Sequence, residues 1–274
     1  MQDGPLKIDL GGILNKRLGR RARWVPSFVL HGLERLVRQD ELNAILEGAW
    51  PEEGSGFSKR VLDMLEITLT VEGLDKLPEG ESFVFACNHP LGGLDGIALV
   101  GILGERFGDE EIRVLVNDML MNVEPLRKVF LPVNKYGSQG RDAAKAINEA
   151  YAAGKQIVMF PAGLVSRRRT DGSIRDLEWQ KSCVVKALAT GRRIVPVRFD
   201  GLNSRRFYNL AYWRKRLGIK INLEQALLPG EVLRSRNAEY RINFGKPVDP
   251  ATLRDAGESP AAIAARLRDI VYTL

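Results

Sequence analysis

Histidine and cysteine are nearly missing from this chain: 274 residues contain only His31, His89, Cys87 and Cys183. Two thiols cannot build a disulfide framework, and a structural zinc site usually takes four Cys or His ligands, so no resident metal is expected. No run reaches the roughly 18 consecutive apolar residues that a spanning helix needs. The opening MQDGPLKIDLGG also lacks the apolar core of a secretory leader, and the expectation is a chain that stays in the cytoplasm. GSGFSK falls short of both a dinucleotide and a Walker loop. Recognised nucleic-acid reader motifs, internal repeats and low-complexity tracts are missing too, so nucleic acid is not the expected partner.

What is present is a 45% hydrophobic composition, enough for a full core, and a formal charge of +7. The charge implies an acidic partner: nucleic acid, anionic lipid or an acidic carrier protein. It does not choose among them.

The first 55 residues read as a helical preface. Phe28, Val29, Leu33, Leu36 and Val37 recur at helical spacing, and Asp40 can cap a second helix that stops at Gly48. Lys16, Arg17, Arg20, Arg21 and Arg23 beside Trp24 and Phe28 suit an anionic membrane surface, or equally a solvated charged turn. His31 lies in the helical pattern with no acidic partner at a motif spacing and reads as structural. PEEGSGFS then reads as a polar connection to a domain spanning 56–274.

In that domain, the strand patterns EITLTVEG, SFVFACN, IRVLVN, VFLPVN, QIVMFP, RIVPVRF and EYRINFGKPV alternate with helical ones. Among the helical stretches are DGIALVGILGERFG, GRDAAKAINEAYAAG, DLEWQKSCVVKALATG, RRFYNLAYWRKRLGI and the C-terminal SPAAIAARLRDIVYTL. This order predicts an α/β fold with a mostly parallel central sheet flanked by helices. Ligands of such folds sit beyond the carboxyl ends of strands, where NHPLGGLDG and FPAGLVSRRR begin.

A histidine can take a proton from an alcohol near neutral pH when a carboxylate fixes its tautomer. His89 and Asp95 supply that pair if the intervening glycines turn the chain back. By spacing alone, the same residues could end a strand and cap a helix. Cys87 is a poor nucleophile candidate, since a buried thiol without a neighbouring cation is inert.

NHPLGGLDG resembles the His-x4-Asp signature of the glycerolipid acyltransferase superfamily. It is most like the bacterial branch with Asn-His-Pro-x-Gly-Gly-x-Asp-Gly, the O-acyltransferases that finish ornithine and glycine aminolipids. VEPLRKVFLPVNK, FPAGLVSRRR and IVPVRF follow in the order of that family's later blocks. Five residues, not four, separate His89 from Asp95. Ala162, Leu164 and Val165 stand where the family has Glu, Thr and Arg, which argues against a lysophosphatidate acceptor.

The resemblance implies a single acyltransferase domain that moves a fatty acyl group from an acyl carrier protein or coenzyme A thioester to a single-chain lipid, a lyso-ornithine or lyso-glycine lipid. It implies no bound cofactor and a peripheral position on the inner face of the membrane. His89 is then the base and Asp95 its partner. Asn88, Gly92, Gly93, Asn134, Lys135, Gly163, Ser166, Arg167 and Arg168 contact substrate, with amides near Gly92 and Gly93 as oxyanion donors. Arg167 and Arg168 suit the carboxylate of an amino-acid lipid, and Asp176, Trp179 and Lys181 of DLEWQKS suggest a site wall. Arg192, Arg193, Arg205, Arg206, Arg214, Lys215 and Arg216 could dock the carrier or the membrane. The alternatives are a lysophosphatidate acyltransferase and a non-catalytic lipid-binding protein.

Overall fold

The computed structural model describes residues 4–12, 19, 26–133, 138–219, 222–255 and 257–274. The expected basic segment around Trp24 and the second-block residues Asn134 and Lys135 lie outside the described residues.

Among the described residues, a seven-stranded sheet forms the middle layer. Its strands are β1 (Thr68–Glu72), β2 (Val84–Cys87), β3 (Ile112–Val116), β4 (Phe130–Pro132), β5 (Gln156–Met159), β8 (Ile194–Asp200) and β9 (Glu239–Phe244). The spatial order is β1-β9-β8-β2-β5-β3-β4. From β8 through β4 every pairing is parallel, whereas β9 pairs antiparallel to β8 and carries β1 parallel to itself. A two-stranded ribbon of β6 (Arg167–Arg168) and β7 (Ile174–Arg175) stands apart from this sheet.

The central strands are apolar throughout because both of their faces are covered. Along β2, Phe85 and Cys87 pack on one side with helices α2 (Gln39–Ala49), α3 (Gly54–Met64) and α4 (Leu94–Phe107). Val84 and Ala86 pack on the other side with α5 (Ser138–Ala152), α6 (Ser182–Thr190) and α10 (Pro260–Val271). Two further helices matter below, α7 (Arg205–Arg216) and α8 (Leu228–Arg234). Helix α1 (Ser27–Val37) and short α9 (Pro250–Asp255) complete the set used here.

Three expectations need correction. PEEGSGFS is not a connection: α3 starts at Gly54, and the Asp109 carboxylate accepts the Ser55 N–H, satisfying a donor that a helix start leaves unpaired. Its serines mark close helix packing, because a Cβ built on Gly104 of α4 would lie 2.6 Å from the Ser55 Cβ and one on Gly101 would lie 3.5 Å from the Ser58 Cβ. A boundary at residue 55 therefore falls in the first turn of a helix, and Ile45 and Ala49 before it share the core of Phe57 and Phe85 after it. DLEWQK is not helical: α6 begins only at Ser182, Asp176 is held by His89, Ser166 and Tyr272, and Trp179 bonds back to Asp176. Asp40 lies in the first turn of α2 rather than at its cap, a place taken by Arg38 in a left-handed conformation. No helix of the described residues is long and apolar enough to cross a membrane.

Candidate active site

β2 ends at Cys87 between two parallel neighbours, and its continuation 88–93 crosses the carboxyl edge of the sheet before entering α4. Gly92 makes the reversal with φ +87, a conformation that favours glycine. The return brings His89 Nδ1 to 3.0 Å from Asp95 Oδ2. The extra residue relative to the four-residue spacing is thus absorbed in the bend.

Asp95 is fully buried in the first turn of α4. Its Oδ2 also accepts the N–H groups of Leu91 at 3.1 Å and Gly92 at 3.2 Å, and its Oδ1 accepts the Gly96 N–H at 2.9 Å. A carboxylate at a helix start with these donors is held in one orientation. Gly92 therefore spends its amide on Asp95 and is not an oxyanion donor, which corrects that expectation.

The main chain around the histidine is tied down at successive groups. Asn88 donates its amide to the Phe199 carbonyl at 2.9 Å and accepts the Phe199 N–H at 2.7 Å. His89 donates its N–H to Asp176 Oδ1 at 3.1 Å and accepts the Ser166 N–H at 2.8 Å. The Pro90 carbonyl accepts from Asn203 Nδ2 at 3.0 Å. Asp176 in turn accepts Ser166 Oγ–H at 2.6 Å on Oδ1 and Trp179 Nε1–H at 2.9 Å on Oδ2, while its own N–H donates to the Tyr272 hydroxyl at 2.7 Å.

The imidazole stacks on Phe160 with centroids 4.2 Å apart, and 17% of the side chain stays exposed. Burial pulls its pKa down, but the charge and hydrogen bond of Asp95, with the charge of Asp176, outweigh that and set it above the ordinary 6.5; Arg167 opposes them. Burial pushes the Asp176 carboxyl above the usual carboxylate range, against the pull of its three hydrogen bonds and of His89. Burial, then the charges of Asp95 and Asp176, raise the Cys87 thiol well above its normal value, which leaves it inert.

The other expected site residues fall into two groups. Asn88 and Ser166 are buried with their polar groups turned onto protein partners, so they brace the loop instead of facing a ligand. Arg167 is paired with Glu224 at 2.7 Å and lies over the Phe207 ring at 5.1 Å. Arg168 is exposed, reaching Asn209 at 3.2 Å and stacking on Tyr212 at 4.9 Å. Gly163, with φ +65, closes a turn onto the Phe160 carbonyl at 2.9 Å. Gly93 faces Val232 of α8. Among the described residues no cluster of His, Cys, Asp or Glu could hold a metal.

Sequence reasoning named Asp176 and Trp179 only as a wall and missed Phe160, Asn203, Glu224 and Tyr272. Phe160 opens the FPAGLVSRRR block, and that place was the available signal; Glu224 sits in a stretch with no motif.

A parallel sheet that presents a buried carboxylate to a histidine at the end of its central strand is an arrangement suited to removing a proton from a hydroxyl. The chain belongs to the acyltransferase family, whose model matches residues 12–272, and it is an enzyme that transfers acyl groups. Among its relatives, the lyso-glycine lipid O-acyltransferase of Phocaeicola vulgatus is 41% identical over 272 residues, covering 99% of this chain and 96% of that one. The protein of the same description from Bacteroides thetaiotaomicron is 39% identical and covers 99% of both chains. The crystal structure of the 1-acyl-sn-glycerophosphate (LPA) acyltransferase PlsC from Thermotoga maritima aligns with 90% of this chain and 91% of that one, at 16% identity and a TM-score of 0.46.

Proposed function

We propose that this enzyme acylates the hydroxyl of a lyso-aminolipid of the lyso-glycine class, with His89 as the general base. The observation that carries this reading is the 3.0 Å contact of His89 Nδ1 with the buried Asp95, in a chain about 40% identical to two lyso-glycine lipid O-acyltransferases. Asp95 keeps the Nδ1 proton in place, which leaves Nε2 to accept a proton. The acceptor hydroxyl gives its proton to Nε2 as its oxygen attacks the carbonyl carbon of the acyl thioester. Collapse of the tetrahedral intermediate breaks the carbon–sulfur bond, and the departing thiolate takes the proton back from Nε2. An ester and a free thiol result, with no covalent enzyme intermediate.

The donor is the thioester of an acyl carrier protein or of coenzyme A. Asn88, Ser166 and Asp176 act as positioning residues, since their polar groups hold the main chain around His89. Arg168, the exposed member of its pair, supplies a cation for the acceptor carboxylate, a role in keeping with the loss of Glu, Thr and Arg at Ala162, Leu164 and Val165.

The test is acylation of a purified lyso-glycine lipid with radiolabelled acyl thioester. His89→Ala is expected to lower kcat/KM by about 10²–10⁴-fold while the protein stays folded. Near-normal turnover by that variant would refute the base assignment. Wild-type enzyme that acylates lysophosphatidate but not lyso-glycine lipid would refute the acceptor.

A further inference from the structure

The inner face of α7 buries Phe207, Tyr208 and Ala211. Its outer face and the turn after it leave Trp213 and Leu217 exposed, at 55% and 71%, with Ile219 beside them. From Arg205 to Ile219 the sequence carries five cations and no Asp or Glu. Arg214 alone of these turns inward, onto the buried Glu224 at 2.8 Å. Arg205, Arg206, Lys215 and Arg216 remain on the exposed side.

We propose that α7 and the turn through Ile219 form the face by which this enzyme rests on an anionic bilayer. The pattern is that of an interfacial helix: cations meet the headgroups while an indole and aliphatic side chains enter the acyl boundary. An acidic carrier protein would match the cations equally, but it offers no acyl boundary to take up Trp213 and Leu217, so the observations favour the bilayer. Placement relative to the site supports the same occupant. α7 meets β6, with Arg167 over the buried Phe207 and Arg168 over the exposed Tyr212, and the residue before β6, Ser166, donates its N–H to the His89 carbonyl. A bilayer under α7 therefore lies beside Arg168, the arginine assigned to the acceptor, and this relation rests on the function proposed above.

Co-sedimentation of the full chain with vesicles tests the surface without requiring turnover. Wild type is expected to pellet with phosphatidylcholine vesicles containing roughly one-third phosphatidylglycerol and less with phosphatidylcholine alone. Lys215→Glu with Arg216→Glu should weaken binding to the anionic vesicles about tenfold or more. Trp213→Ala with Leu217→Ala should weaken it comparably, and both pairs should keep the wild-type melting curve and turnover of a short-chain acceptor dissolved as monomers. Wild type that ignores both vesicles, or variants that pellet like wild type, would overturn the proposal. So would charge-reversed protein that pellets normally but shows a raised KM for acyl carrier protein, because the carrier would then be the occupant. Vesicle binding through α7 without acylation of lyso-glycine lipid would sink the acceptor assignment and leave this surface standing.

Discussion

Asp176 holds the main chain of His89 and the side chain of Trp179 with the two oxygens of one carboxylate, at 3.1 and 2.9 Å. An amide cannot take its place. In either orientation, the NH2 of Asp176→Asn would point at an N–H donor, leaving a buried donor unpaired at a cost of about 1–3 kcal/mol. Urea denaturation should read that loss. Because a displacement of about 1 Å at the base can cost about 10²-fold, kcat should fall more than KM changes.

The raised pKa of His89 fixes the sign of two pH effects. Base catalysis needs neutral imidazole, so kcat/KM should climb along a limb whose midpoint lies above 6.5. Asp95→Asn removes the main contributions that raise this pKa, so the limb should move to lower pH as activity drops by about 10³–10⁴-fold. Stability follows the same proton: the folded state binds it more tightly than the unfolded chain does. The contribution of His89 is therefore full below 6.5 and fades as pH rises through the folded-state value. The Tm difference between wild type and His89→Ala, measured across that window, should shrink with increasing pH.

The two glycines of the bend should respond differently to a methyl group. At Gly92 an added Cβ would sit 3.0 Å from Leu228 Cδ2 and from Val165 Cγ2 at φ +87, and Gly92→Ala should cost about 1–3 kcal/mol and most of the activity. Gly93 has φ −85, and its Cβ would lie 3.3 Å from Val232, so Gly93→Ala should cost less than about 1.5 kcal/mol. Equal losses in chemical denaturation would show that the reversal does not depend on Gly92.

Glu224 is the fully buried carboxylate between Arg167 and Arg214. Glu224→Gln leaves two largely buried guanidinium groups without their counter-charge, and a loss of about 3–5 kcal/mol is expected on the scale of broken buried pairs. Urea titration would decide this; a loss below about 1 kcal/mol would mean that the cluster is solvated.

Cys87 should resist iodoacetamide in the native protein and react after denaturation, as its burial and raised pKa require. Alkylation of the native protein with loss of activity would reopen the nucleophile alternative.

Much of this was legible in the sequence, for identifiable reasons. β2, β5 and β8 are short apolar runs because both their faces are covered, and such runs announce themselves. The His89–Asp95 pair was legible because its six-residue spacing includes a glycine able to reverse the chain. Less visible was the purpose of each polar residue. Asn88, Ser166 and Arg167 look like ligand contacts in a motif, yet their partners are Phe199, Asp176 and Glu224, from 10 to 111 positions away. α3 was misread for a similar reason: its serines mark a close approach to Gly101 and Gly104, which no local pattern reveals.

The groups that fix residues 88–90 come from late in the chain: Asp176, Phe199 and Asn203, with Tyr272 supporting Asp176. A nascent polypeptide still on the ribosome has already made His89 and Asp95, but these later anchors have yet to emerge. Catalytic competence is therefore expected only after Asp176, Phe199, Asn203 and Tyr272 have been made, and a product stopped before them would carry the motif without its chemistry.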